Sequence, residues 1–313
     1  MTRRKTYTVT CLTGHGIGAE VMAEASRALA QVSRLHGFKV EETHPPFGGA
    51  AFIQSGHALP ASTRLATLSA EAILVAAAGE PALVGVESEL DLHARIDRVV
   101  YAPRGEVTVL SPLGETALEW TVERAFDVAR SSKARVSSVG NDDRLATVFR
   151  AAADRHDGVL VEELSMRTAV EGLAFDPDRF DVVLTPAPMA EALVGIIARG
   201  RVPRIVASGR LASTGPSVFA PVHGAVADIA GQGVANPASM LLATALMLGE
   251  GLGERGAAET LAGAVLEACS SGAGTPDMVT TGVGATTREF ADVVLSELPS
   301  ALTNAEFYRE AVA

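Results

Sequence analysis

Aromatic side chains are scarce in this chain: one Trp, three Tyr and ten Phe make up 4% of it. The core must instead be filled by Ala, Val and Leu, a composition that suits helices laid on a sheet. Cysteine is nearly absent too. Cys11 and Cys269 stand far apart in apolar stretches. That excludes a disulfide framework or a CxxC ligand pair and reads as two buried, reduced thiols. Positive charge is in deficit, with a net charge of −11. The only basic cluster, Arg3-Arg4-Lys5, precedes a strand-like run as a solvated terminus. An acidic surface repels a phosphate backbone, so nucleic acid is not an expected partner. No apolar run reaches the ~20 residues that span a bilayer. The most apolar stretch, Pro237 to Leu248, is too short, and a membrane is not expected either. Thr6 to Leu12 already reads as a strand with no room for a leader before it, so the expected location is cytoplasmic. There is no GxSxG elbow, HExxH motif, clustered histidine pair, internal repeat, low-complexity tract or flexible linker.

What is present supports a sizeable core. Hydrophobic residues make up 48% and charged residues 20% of 313, and with domains of roughly 100–200 residues this length implies two lobes. Short apolar runs alternate with amphipathic segments. Tyr7–Leu12, Phe38–Thr43 and Ala72–Ala77 read as strands, with helices over Gly18–Leu35 and Ala61–Leu68. A second set follows: strands over Ala134–Val139, Gly158–Glu162 and Asp181–Thr185, and a helix over Arg144–Asp154. Helices then dominate, over Pro237–Gly249, Ala257–Cys269 and Thr287–Leu298. Such alternation argues for an α/β fold with a parallel sheet.

Several motifs punctuate this pattern. Gly14-His15-Gly16-Ile17-Gly18-Ala19-Glu20-Val21 joins the first strand to the first helix; on its own, such a turn speaks only of tight packing. Phe47-Gly48-Gly49-Ala50-Ala51 with Leu59-Pro60, and then Ala76 to Pro81, mark two later loops. The longest motif runs Pro221-Val222-His223-Gly224, Asp228-Ile229-Ala230-Gly231-Gln232-Gly233, Ala235-Asn236-Pro237. Thr275-Pro276-Asp277 and Thr286-Thr287-Arg288-Glu289-Phe290 close the series. In this order, from about Thr6 to Leu298, these stretches resemble the isopropylmalate/isocitrate dehydrogenase family of β-decarboxylating dehydrogenases. The first is similar to the family's GDGIGPEV, with His15 and Ala19 as departures. The longest is similar to PVHGSAPDIAGKGIANP, which wraps the adenosine half of the cofactor.

The resemblance implies a two-lobe α/β fold with parallel or mixed sheets flanked by helices and a cleft between the lobes. It implies a larger domain from 1–99 and 202–313 with the nucleotide loops, and a smaller, normally dimer-forming domain from 100–201. The family's dimer arm looks truncated here, and Pro237–Gly249 is a candidate for an interface without it. His223, Gly224, Asp228, Ile229 and Asn236 are the cofactor-binding positions carried over. Asp228 favours NAD over NADP, because a carboxylate accepts ribose hydroxyls and repels a 2′-phosphate. The family's Glu before the PVHG run is Ala220 here.

The family's reactive machinery is largely replaced. Its LRxxxDLxxxLRP clamp corresponds to Val86–Arg98, with Glu87 and Asp97 at the arginine positions. Like charges 4 Å apart repel by about 4 kcal/mol at an effective ε of ~20, so such a clamp repels a carboxylate. Arg95 and Arg98 are the nearby substitutes. Leu110 takes a further arginine position, and Tyr101, the only nearby phenol, reads as structural. Asn141 replaces the family's general-base lysine and does not titrate near neutrality. Asp142 and Asp143 offer either acid–base groups or a helix cap, the cap being preferred. The family's metal carboxylates correspond to Arg167, Glu191 and Gly195, a set too poor in oxygen for Mg²⁺ or Mn²⁺. No divalent metal is therefore expected. Arg167 and Glu191 form either an anion pocket or a simple ion pair. His15 and His93 remain further candidates near the cleft.

Two functions fit these residues. One is a repurposed, metal-independent enzyme that retains NAD and takes a different anionic small molecule, for which Arg95, Arg98, Arg104 and Arg167 would converge with Glu191. The other is an inactive pseudoenzyme or regulatory subunit holding an adenine nucleotide. A homodimer, or pairing with a paralogous subunit, is the expected assembly.

Overall fold

A computed structural model describes residues 4–77, 81–103, 105–199, 204–279 and 283–312, with side chains up to residue 303. Arg104 and the middle of the Ala76–Pro81 loop lie outside the described residues. The chain begins β1 (Thr6–Leu12), α1 (Gly18–His36), β2 (Lys39–Thr43), α2 (Gly48–Ser55), α3 (Ala61–Ser69), β3 (Ala72–Val75) and α4 (Pro81–Glu87). It continues β4 (Leu92–Tyr101), β5 (Gly105–Pro112), α5 (Leu118–Arg130), β6 (Arg135–Val139), α6 (Asp143–Ala153), β7 (Leu160–Leu164), α7 (Met166–Phe175), β8 (Val182–Leu184) and α8 (Ala187–Ile197). Last come β9 (Arg204–Ala212), β10 (Ser217–Pro221), α9 (Ala238–Leu246), α10 (Arg255–Ser270) and α11 (Thr287–Val312).

Two compact units result. The first holds Met1–Leu90, Ala207–Gly209 and Thr214–Ala313; the second holds Asp91–Val206 and Arg210–Ser213. In the first, β2, β1, β3 and β10 lie side by side and are parallel throughout. Helix α1 turns Val21, Ala25, Leu29 and Val32 inward at helical spacing and stops at Gly37, whose φ of 79° only glycine adopts without strain. The second unit orders its strands β4, β5, β8, β6, β7. There β4 and β5 form an antiparallel pair and the remainder are parallel, so the sheet is mixed.

Helix α9 is mostly apolar and is buried at every residue except the half-buried Ser239. Only Ser239 and Gly249 of the Pro237–Gly249 segment are partly exposed, so it offers little surface for the dimer contact considered above. Its C-terminus widens into a π-turn, Met247–Gly251, which brings Gly251 against the Phe219 ring. Helix α11 runs past Pro299 instead of ending at Leu298. Proline leaves the carbonyl four residues back without its helical donor. That carbonyl, on Leu295, instead accepts from Gln31 Nε2 of α1 at 3.1 Å. β7 starts at Leu160, two residues after Gly158, which sits in a turn at φ 86°.

The second unit's helices pack on fully buried rings. Phe126 stacks on Phe149 at 5.7 Å and on the His156 imidazole at 4.5 Å. Truncating Phe126→Ala leaves a cavity that cannot close around these partners, and we expect a loss of about 3–5 kcal/mol, read from the urea midpoint.

Candidate functional site

In the first unit, the glycine-rich turn and the loop after β10 are locked to each other. Gly16, at φ 65°, lies so close to the Ala225 carbonyl that an added Cβ would fall 1.9 Å from its oxygen. The Ile17 amide donates to the same oxygen at 2.8 Å. At Gly18 the Thr13 carbonyl fills the corresponding space. Glu20, in the first turn of α1, accepts from the amides of Gly231 and Gly233. These contacts explain the glycines differently: Gly16 and Gly18 are points of close backbone approach, whereas Gly231 and Gly233 take positive φ, 77° and 66°, and present their amides to Glu20. Val226 sits in the left-handed region at φ 41°, unfavourable for a β-branched residue, and is held there by the same network. His15 lies against Gly49.

This frame presents a polar set. His223 Nδ1 faces the Gly224 carbonyl at 3.0 Å, so Nδ1 carries the proton and Nε2 is left as an acceptor. Nε2 is buried and has no partner among the described residues, and burial pulls the imidazole pKa below its usual value. Asn236 accepts from the Ala238 amide at 2.9 Å and donates to Asp277 at 3.0 Å, tying the closing Thr-Pro-Asp motif to this loop. Gly224 and Asp228 are exposed and Ile229 is half-buried. Ala220 is part of an apolar cluster with Leu12, Phe47 and Val218.

The second unit brings together only part of the proposed set. Arg95 donates to both oxygens of Asp97, at 2.8 and 3.2 Å, and its Nη1 meets Glu191 at 2.6 Å. Asp97 is fully buried, whereas the Glu191 side chain is 74% exposed. The arginine pKa rises, since these carboxylates outweigh the desolvation that alone would lower it. Arg98 does not join them. Successive residues on a strand point to opposite faces, so Arg95 and Asp97 share one face of β4 while Arg98 takes the other, beside Glu106 at 3.2 Å. Arg167 pairs with Glu171 one helical turn away and is 88% exposed. Asn141 is exposed just before α6, where Asp142 caps the helix by accepting from the Leu145 amide at 2.9 Å. Leu110 is fully buried, and Tyr101 donates to Asp178 at 2.9 Å beneath Arg204. The convergence of Arg95, Arg98, Arg104 and Arg167 on Glu191 that an anion pocket would require is not found among the described residues: Arg95 reaches Glu191, Arg98 and Arg167 do not, and Arg104 lies outside them.

His93, one of the two further histidine candidates, stands among partners that the sequence did not indicate. His93 Nε2 is 3.0 Å from Asp91, which also accepts from the Ser213 hydroxyl. The imidazole lies 5.4 Å from the Trp120 ring, with Nδ1 buried and unpartnered among the described residues.

Comparison with known proteins agrees with this geometry. The family profile described as isocitrate/isopropylmalate dehydrogenase matches residues 8–97 and 93–294. The 3-isopropylmalate dehydrogenase of Streptococcus thermophilus (strain CNRZ 1066) is 31% identical, over 94% of this chain and 100% of its own. That of Synechococcus sp. (strain CC9902) is 31% identical over 88% and 94%. This chain belongs to the isocitrate/isopropylmalate dehydrogenase family. Among solved structures, the apo β-decarboxylating dehydrogenase of Thermococcus kodakarensis shares its fold, with a TM-score of 0.80 at 22% identity over 96% of this chain and 98% of that one.

Against that family, the two halves of the chemistry fare differently. The polar set around His223 fits the adenosine part of a dinucleotide, because an orphaned acceptor and an exposed glycine stand ready on a fixed loop. The positions Arg167, Glu191 and Gly195 do not fit a hard divalent cation. They supply one carboxylate, already held by Arg95, together with an arginine and a glycine. Replacing Arg95→Ala removes the two hydrogen bonds it gives the buried Asp97 carboxylate and is expected to cost about 3–5 kcal/mol. Glu191→Gln removes an exposed partner and should cost no more than about 1 kcal/mol. Urea denaturation of the two variants checks this contrast.

Proposed function

We propose that this member of the family binds an NAD-type dinucleotide in its first unit and has given up metal-dependent oxidation of hydroxy acids. The observation that carries the proposal is His223 Nε2, a buried acceptor without a partner among the described residues, on a loop locked in place by Glu20. An adenine amino group is the complementary donor. Asp228 supplies an exposed carboxylate for ribose hydroxyls, and Gly224 leaves the backbone open to approach. A nicotinamide cofactor would bring a hydride acceptor; the surrounding chain binds and orients it. On the acid side, Arg95 is spent on Asp97 and Glu191, a set whose charges sum to −1 and which does not attract an anion. Asn141 cannot carry a proton. The geometry thus leans towards a pseudoenzyme or regulatory role with the nucleotide as ligand.

A second reading, metal-independent catalysis on a different small molecule, is favoured by one observation. Asp91 fixes His93 so that its Nδ1 is directed away from the carboxylate, as an acid–base group requires. The family's expected assembly, a homodimer or a pairing with a paralogous subunit, accompanies both readings.

Thermal shift with NAD, NADH, NADP and ATP, each with and without Mg²⁺, tests the proposal. NAD should stabilise the protein regardless of Mg²⁺, with NADP at least about tenfold weaker because Asp228 faces its 2′-phosphate. His223→Ala should weaken NAD by about tenfold. Strong Mg²⁺-dependent stabilisation by a malate-type acid would overturn it.

A further inference from the structure

Cys11, Glu42 and His44 meet at the edge of the first unit's sheet, and none of them is a position carried over from the family. β1 and β2 run parallel with Val9 opposite Glu42 and Thr10 opposite Thr43, so the next step in register brings Cys11 level with His44. Strand alternation sends Glu42 and His44 to one face, the face that carries Cys11. Helix α1 covers it, with Ser26 donating to Glu42 Oε2 at 2.5 Å. The same oxygen lies 3.6 Å from Cys11 Sγ and 3.3 Å from His44 Nε2. All three ligand atoms fall within 4.8 Å of one another.

These separations have a chemical meaning. In a tetrahedral zinc site, bonds of ~2.3 Å to sulfur and ~2.0 Å to nitrogen or oxygen place sulfur and oxygen about 3.5 Å apart, and nitrogen and oxygen about 3.3 Å apart. Both distances are already met at Glu42. Thiolate, imidazole and carboxylate together suit zinc, whereas Mg²⁺ and Mn²⁺ prefer oxygen alone. Cys11 is fully buried and Glu42 largely so, while His44 is partly exposed and offers the way in.

We propose that Cys11 Sγ, a Glu42 carboxylate oxygen and His44 Nε2 bind one Zn²⁺, with a fourth position left for water. On binding, the Cys11 S–H bond breaks, the sulfur lone pair becomes the Zn–S bond and the proton leaves to solvent; no electron transfer is involved. The ion ties the edge strand β2 to β1 and to α1 through Ser26. Without it, the thiol donates to Glu42 and the edge is held by hydrogen bonds alone.

The test titrates chelator-treated, full-length protein with Zn²⁺ and Co²⁺ in excess Mg²⁺, by calorimetry and absorption. The expected result is one zinc per chain at about micromolar affinity or tighter, and a thiolate-to-cobalt charge-transfer band with Co²⁺. His44→Ala, a change at a partly exposed side chain, should weaken zinc at least tenfold. Cys11→Ser should abolish the cobalt band, and His57→Ala, at an exposed histidine elsewhere, should change neither. Absence of stoichiometric zinc, or zinc affinity unchanged in His44→Ala, would overturn the proposal, and that variant decides alone should Cys11→Ser fail to fold.

Discussion

A single guanidinium governs how the acid-handling half of this protein can behave. Arg95 grips the fully buried Asp97 with two hydrogen bonds and reaches Glu191 with a third. Breaking a bidentate contact to a buried carboxylate is strongly destabilising, so the arginine is committed to Asp97 before any ligand arrives. Glu191, the only carboxylate among the three metal positions, is drawn into the same assembly. A dication would have to displace Arg95 and would still find too few oxygens. The substitutions at the clamp, the base and the metal positions thus reinforce each other.

The nucleotide loop obeys a different constraint. Its geometry is set by backbone, through the close approach of Gly16 to Ala225 and the two amides held by Glu20. Side chains away from these points can vary without moving the loop, which is why His15, Ala19 and Ala220 coexist with an intact PVHG turn. Among the described residues of this loop, His223 Nε2 is a buried side-chain atom left without a partner, and its tautomer is fixed by Gly224. On the proposed reading, the first unit keeps its nucleotide loop while the second pairs Arg95 with its own carboxylates.

Much of the fold was legible in the sequence, because period and turn chemistry are local properties. The strands read at Tyr7–Leu12 and Ala134–Val139, helix α1, and the Asp142 cap all follow from residues near them. Continuation of α11 beyond Pro299 was not legible, since it depends on Gln31 from another helix. Nor was the separation of Arg95 from Arg98: only once Leu92–Tyr101 is known to be a strand does an odd spacing mean opposite faces. The Cys11–Glu42–His44 group depends on strand register and could not be found from spacing. By contrast, the residues around His223 were identifiable from the motif, and the structure adds which nitrogen is left open.

The central claim is that arginine, and no longer a dication, organises the carboxylates of the second unit. Electron paramagnetic resonance of Mn²⁺, titrated into zinc-saturated protein with NAD and a malate-type hydroxy acid, addresses it most directly. The account predicts that the free Mn²⁺ signal persists at full intensity. Stoichiometric loss of that signal, reversed by Glu191→Gln, would contradict it.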